Sequence, residues 1–135
     1  MTYNLDSCTI IDFLRSNKLV TKKILDADDA GEELAVCAVV YYEVMRGFDR
    51  MNPSRKQITF EQFYEKTKHL PLDEISLNLA AEIYRYLSKR GQKIEDDDIF
   101  IAAITMANDA VLITDNVKHF ERVPNLKVVN WKDLG

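Results

Sequence analysis

Lys93-Ile94-Glu95-Asp96-Asp97-Asp98-Ile99-Phe100-Ile101-Ala102-Ala103-Ile104 decides how this chain is read. Four acidic residues run straight into an apolar segment with helical spacing and small side chains. Acidic residues suit the first turn of a helix, where the macrodipole favours negative charge and caps are needed. That accounts for one or two of them. Four in a row repel one another, and a bound cation or a basic partner would relieve the repulsion. Three other carboxylates lie just after strand-like runs or early in the helices that follow: Asp6, Glu43 and Asp115.

Working outward, strands alternate with helices. Tyr3-Asn4-Leu5 reads as a short strand, with Ser7 as N-cap of a helix that turns Ile10, Ile11 and Leu14 inward and Asp6 at the junction. A second helix spans about 20–29, with Ile24 and Leu25 inward. Leu34 to Ala38 is a continuous apolar strand of the kind buried in a parallel sheet. The helix expected over 40–51 carries Val40, Val44, Phe48 and Met51 as its stripe, with Glu43 beside it and able to pair with Arg46. Gly47 within that helix would cost about 1 kcal/mol and suggests a close approach of backbone or ligand. Ser54 or Thr59 caps a polar helix carrying Phe60, Phe63 and Tyr64, read as a surface helix ahead of a single-stranded nucleic-acid contact. His69 to Leu72 is an edge strand with a structural His69. Ser76 to Arg90 is amphipathic, with Leu79, Ala80, Ile83, Tyr84 and Leu87 inward, and Gly91 ends it. The acidic stretch opens a helix to about Ala107. Ala110 to Thr114 is the best strand, and Lys127 to Val129 the last, with Trp131 and Leu134 closing the core. The fold class is α/β, a central, mainly parallel sheet flanked by helices in one domain over 1–135.

With 135 residues, 47% of them hydrophobic and 30% charged, the chain has the composition of a globular domain. No apolar run approaches a bilayer span and no signal peptide opens it, so a cytoplasmic protein without membrane contact is expected. Cys8 and Cys37 are too few for a disulfide framework and read as inert buried thiols. A net charge of −4 argues against coating nucleic acid by charge alone. It leaves room for an enzyme that meets phosphate through a metal.

In open α/β sheets, ligands bind beyond the carboxyl ends of the strands. If the sheet is parallel, Asp6, Glu43, Asp98 and Asp115 converge at one such end. Converging carboxylates suit Mg²⁺ or Mn²⁺, which keep waters that a phosphate can replace. No zinc-spaced His or Cys set, phosphate-binding GxxxxGK[ST] loop or GxGxxG turn is present. Metal-dependent phosphodiester hydrolysis is therefore the leading chemistry.

Four blocks in order also resemble a known family: Leu5-Asp6-Ser7 before an apolar helix, Glu43-Val44-Met45-Arg46-Gly47, Asp98-Ile99-Phe100-Ile101-Ala102-Ala103, and Thr114-Asp115-Asn116 followed by Phe120. Together with the close from Val123-Pro124 to Trp131, they are similar to the PIN-domain ribonucleases and, within these, to VapC-type toxins of toxin–antitoxin pairs. The resemblance covers nearly the whole chain. It implies a PIN-like three-layer fold and a Mg²⁺-dependent endoribonuclease acting on structured RNA such as tRNA or rRNA. It also implies a homodimer neutralised by a cognate VapB-like antitoxin, whose arginine could target the acidic cluster. By motif position Asp6, Glu43 and Asp98 bind the metal. Asp115 is favoured by charge as the fourth ligand, and Asn116 by motif alignment. Thr114 is placed to orient a metal-bound water or a phosphate, with Ser7 and Asp97 as auxiliaries. Arg46, Arg50 and Lys93, with Arg55, Lys56, Lys89 and Arg90, could form an RNA-contacting rim.

Two other readings compete. A haloacid-dehalogenase-type phosphatase needs a second Asp at the position held by Cys8. A catalytically inactive PIN-like binding module acting through a partner is opposed by the three retained carboxylates.

Overall fold

Thr2–Leu5 forms the central strand, β1, of a five-stranded sheet. The structure is a computed structural model and describes residues 1–49 and 51–133. After β1 come α1 (Ser7–Leu14), α2 (Lys18–Asp29), β2 (Glu33–Cys37) and α3 (Ala38–Met45). Next are α4 (Arg55–Glu65), β3 (Lys68–Leu70), α5 (Glu74–Lys89) and α6 (Asp96–Ala107). The described part closes with β4 (Val111–Ile113), α7 (Val117–Phe120) and β5 (Val128–Val129).

Strand order is β3-β2-β1-β4-β5, and every pairing is parallel. The expected sheet is thus parallel throughout, with β3 at an edge as Pro71 suggested. Succession runs one way from β1 through β2 to β3 and the other way from β4 to β5. The reversal lies between β1 and β4, and in open α/β sheets ligands bind beyond the carboxyl ends of the strands at such a reversal. Leu5, Leu112 and Ile113 are fully buried in these two strands. Each such side chain contributes roughly 1.5–3 kcal/mol by leaving water. Among the described residues no helix is long and apolar enough to cross a membrane.

Several local expectations change. Asp6, not Ser7, caps α1: its side chain accepts from the Ser7 backbone N–H. Ile11 and Leu25 point outward, while Phe13 and Ala27 turn in. The helix carrying Glu43 stops at Met45, so Met51 is almost fully exposed and Gly47 lies in the turn that follows. A Cβ on Gly47 would come within 3.3 Å of the Val44 carbonyl oxygen of the preceding turn. The backbone that approaches this glycine is its own helix end. Tyr84 faces solvent and Tyr86 packs instead. Asp73 caps α5 in a reciprocal capping box with Ser76, and Gly91 at φ +64° ends it in the left-handed region. Of the two expected caps for α4, Ser54 fills the position and Thr59 lies within the helix. Phe60 in α4 is fully buried, and Phe63 and Tyr64 pack against the core, so these rings are not a nucleic-acid platform. His69 stacks on Tyr64 with ring centroids 3.7 Å apart, a structural role. Trp131 is buried with its ring edge-on to Tyr3, whereas Leu134 lies outside the described residues.

Candidate active site

Asp6 stands where β1 becomes α1, at the reversal of strand order. Its N–H donates to the Ile113 carbonyl at 2.9 Å, which pins the corner to β4. The carboxylate is 6% exposed. Oδ1 accepts from Ser7 N–H at 2.8 Å, and Oδ2 accepts from the Thr114 hydroxyl at 2.7 Å. Burial raises its pKa above the usual carboxylate value, the Thr114 and Ser7 bonds oppose this, and the Asp98 charge adds to it. The thiol of Cys8 lies 3.8 Å from Oδ2. Burial and then Asp6 push that thiol up, so Cys8 is not an activated nucleophile.

Glu43 enters from α3. Its Oε1 is buried without a hydrogen-bond partner among the described residues. The carboxyl is pushed from its ordinary 4.5 to about 7, first by burial and then by the charges of Asp6, Asp97 and Asp98. Arg46 opposes this least of the named influences, and its guanidinium lies over the Tyr42 ring at 5.2 Å. The surface pairing of Glu43 with Arg46 is therefore replaced by a position facing the other acids.

Asp98 comes from the first turn of α6, together with Asp96 and Asp97. Glu95 is the N-cap and makes no side-chain capping bond, so none of the four acids is spent on that task. Asp98 Oδ2 lies 2.8 Å from Nε2 of His119 on α7. Burial raises the Asp98 pKa, His119 lowers it by charge and hydrogen bond, and Asp97 and Glu95 raise it again. Asp97, expected only as an auxiliary, acts on both Glu43 and Asp98.

Asp115 is differently placed. β4 is buried along its length and Thr114 continues inward, fully buried. Beyond Thr114 the chain leaves the sheet, and exposed Asp115 has its Oδ2 2.8 Å from Lys132 Nζ. Lys132 also reaches Asp12 Oδ2 at 2.8 Å, so it bridges α1 and the β4–α7 corner. These two carboxylates push the lysine pKa upward. Asn116 caps α7 without a side-chain bond, and its N–H donates to Thr114 Oγ1 at 3.1 Å. The structure thus brings Asp6, Glu43, Asp98 and Asp97 into one electrostatic group, and holds Asp115 and Asn116 at its outer edge.

Among the described residues, no three Asp, Glu, His or Cys side chains close around a point as an ion would need. One oxygen of Asp6 is turned to Thr114 and one of Asp98 to His119. The donor set nonetheless fits a hard divalent cation. All three core acids are raised above their usual values, Glu43 keeps an orphaned oxygen, and the donors are carboxylates.

Of the expected rim, Arg46 lies three residues beyond Glu43, and Lys93 is exposed beside the acidic turn. Arg50 lies outside the described residues. Sequence reading missed His119 and Lys132. For His119 a signal existed: it lies five residues beyond Thr114, one short helical turn past the strand end.

The family model described as PIN domain matches residues 3–126. Ribonuclease VapC1 of Haemophilus influenzae is 28% identical over 133 residues, 97% of this chain and 98% of that protein. The solved VapBC-1 structure from nontypeable Haemophilus influenzae has a TM-score of 0.81 at 26% identity, covering 98% of this chain and all of that one. VapBC2 from Rickettsia felis, solved bound to a DNA fragment from its promoter, has a TM-score of 0.85 at 22% identity, covering 97% and 99%.

Proposed function

Because the chain belongs to the PIN-domain family, we propose that it is a VapC-type endoribonuclease toxin, dependent on Mg²⁺ with Mn²⁺ as substitute. It hydrolyses phosphodiester bonds in structured RNA, of tRNA or rRNA type, in the cytoplasm. A VapB-like antitoxin neutralises it. The observation that carries this reading is the shared electrostatics of Asp6, Glu43 and Asp98: each is raised by burial, and Asp6 and Asp98 act on Glu43.

These three side chains would hold the metal, with Asp115, once released from Lys132, or Asn116 as an outer fourth ligand. When bound, the metal supplies a Lewis acid that lowers the pKa of a water and offsets phosphate charge. The protein does the positioning. Thr114 fixes one Asp6 oxygen. Glu43, whose carboxyl is pushed up to about 7 by burial and the neighbouring acids, would have to release its proton to serve as a ligand, so metal and proton would compete. Arg46 and Lys93, with Arg50, contact the RNA phosphates. In the overall reaction the hydroxyl of a water adds at phosphorus, one P–O ester bond breaks, and the water's proton goes to the leaving oxygen. Exposed Leu77 and Tyr84 on α5 support a homodimer, measurable by light scattering.

The test is cleavage of total cellular RNA by purified protein with Mg²⁺, Mn²⁺ or EDTA, beside D6N and D98N. Discrete fragments that vanish in EDTA and in both variants are expected. A folded wild type that neither cleaves RNA nor binds metal would replace this reading with the inactive binding module.

A further inference from the structure

We propose that His119 is a positioning residue that, with Thr114, sets Asp6 and Asp98 for the metal; this rests on the function proposed above. Asp6 and Asp98 sit on elements far apart in sequence, one at the end of β1 and one at the start of α6. The segment 114–119 touches both. At its first residue, the Thr114 hydroxyl donates to Asp6 Oδ2 at 2.7 Å. Five residues on, His119 Nε2 lies 2.8 Å from Asp98 Oδ2. Between them the chain is stiffened. The Asn116 N–H donates to Thr114 Oγ1, and the Asn116 carbonyl accepts from the backbone N–H groups of His119 and Phe120. Fully buried Phe120 anchors the turn, with the His119 ring edge-on to it.

One oxygen of each carboxylate is thereby engaged and the rotation of the group about its last bond is fixed, leaving the second Asp98 oxygen to a ligand. Without His119, Asp98 would be free to turn away from Asp97 and Glu95, whose charges act on it. Partners that orient a ligating group in this way typically change metal affinity 10–100-fold when removed.

The experiment measures Mn²⁺ binding to RNA-free protein from the loss of the free-ion paramagnetic resonance signal, for wild type, H119A and H119Q. H119A should bind Mn²⁺ about 10–100-fold more weakly. H119Q, whose side-chain amide can still donate to Asp98, should stay within about threefold of wild type, and both variants should melt in EDTA within a few degrees of it. In turnover, H119A should lose kcat at fixed Mn²⁺ with KM for RNA little changed, and added Mn²⁺ should restore part of it. Equal Mn²⁺ affinity in wild type and H119A overturns the role, as does an H119Q as weak as H119A. A wild type that binds no Mn²⁺ overturns the metal site itself, and this role with it.

Discussion

Replacing Glu43 with glutamine should stabilise the metal-free protein at pH 8. Glu43 is raised from 4.5 to about 7 by burial and by the Asp6, Asp97 and Asp98 charges. A gap of roughly 2.5 pH units is worth about 3.4 kcal/mol at ~1.36 kcal/mol per unit. The side chain is only part-buried, and solvent screening brings the figure to about 1–2 kcal/mol. The sign follows from proton counting. Below pH 4.5 the group is neutral in both folded and unfolded chains and costs nothing. From there to about pH 7 the folded chain keeps a proton that the unfolded chain has released, so stability falls as pH rises. Above that the whole penalty is present. The raised values of Asp6 and Asp98 act in the same direction. Thermal melts in EDTA at pH 4.5 and pH 8 test this. The E43Q variant should gain about 3–10 °C at pH 8 and almost nothing at pH 4.5. Saturating Mn²⁺ should reverse the order, because only the wild type keeps the ligand. A variant that melts below wild type at pH 8 without metal, or gains equally at both pH values, would refute the reasoning.

D6N should lower RNA cleavage by at least about 10²-fold at saturating Mg²⁺, whereas D115N, which removes a charge already paired with Lys132, should lower it less than about tenfold; initial rates on one purified RNA separate the two. K132M should destabilise the fold by about 0.5–1 kcal/mol in low salt and less in 1 M NaCl, since its two ion pairs are partly exposed; urea titration at both salt concentrations reads this. G91A should cost about 1 kcal/mol, because Gly91 sits at φ +64° with open space around a Cβ, so backbone strain alone is felt. L112A, at a fully buried position in β4, should cost about 2–5 kcal/mol in the same titration.

The sheet was legible because its strands are local events: short apolar runs bounded by turn residues, with helical spacing between them. The positions of Asp6 and Asp98 at helix starts were legible for the same reason, as each is defined by the element it opens. The errors lie where a local pattern leaves two solutions. Ile10 and Ile11, or Ile24 and Leu25, are adjacent, and only packing decides which points inward. Gly47 read as a mid-helix residue because apolar spacing continues to Met51, although α3 ends at Met45. Charge favoured Asp115 over Asn116, but only the folded chain shows Thr114 buried and Asp115 paired with Lys132 at the edge of the cluster. The pairings His119–Asp98 and Lys132–Asp12 join residues that no periodicity relates. They exist only once α7 and the C-terminal segment have docked.

The hydrogen bond from Thr114 to Asp6 closes a loop of 108 residues. β1 leaves the ribosome well before its β4 neighbour, and the His119 contact comes later still. At roughly 5–20 residues per second, the interval between Asp6 and Thr114 lasts on the order of 5–20 s. Over that time Asp6 has neither its Thr114 donor nor the α6 acids beside it, so the nascent chain cannot carry an assembled site. Such high contact order also slows the final closure of the sheet. The carboxylate cluster is in this way a late product of synthesis, a delay inherent in the order of the strands.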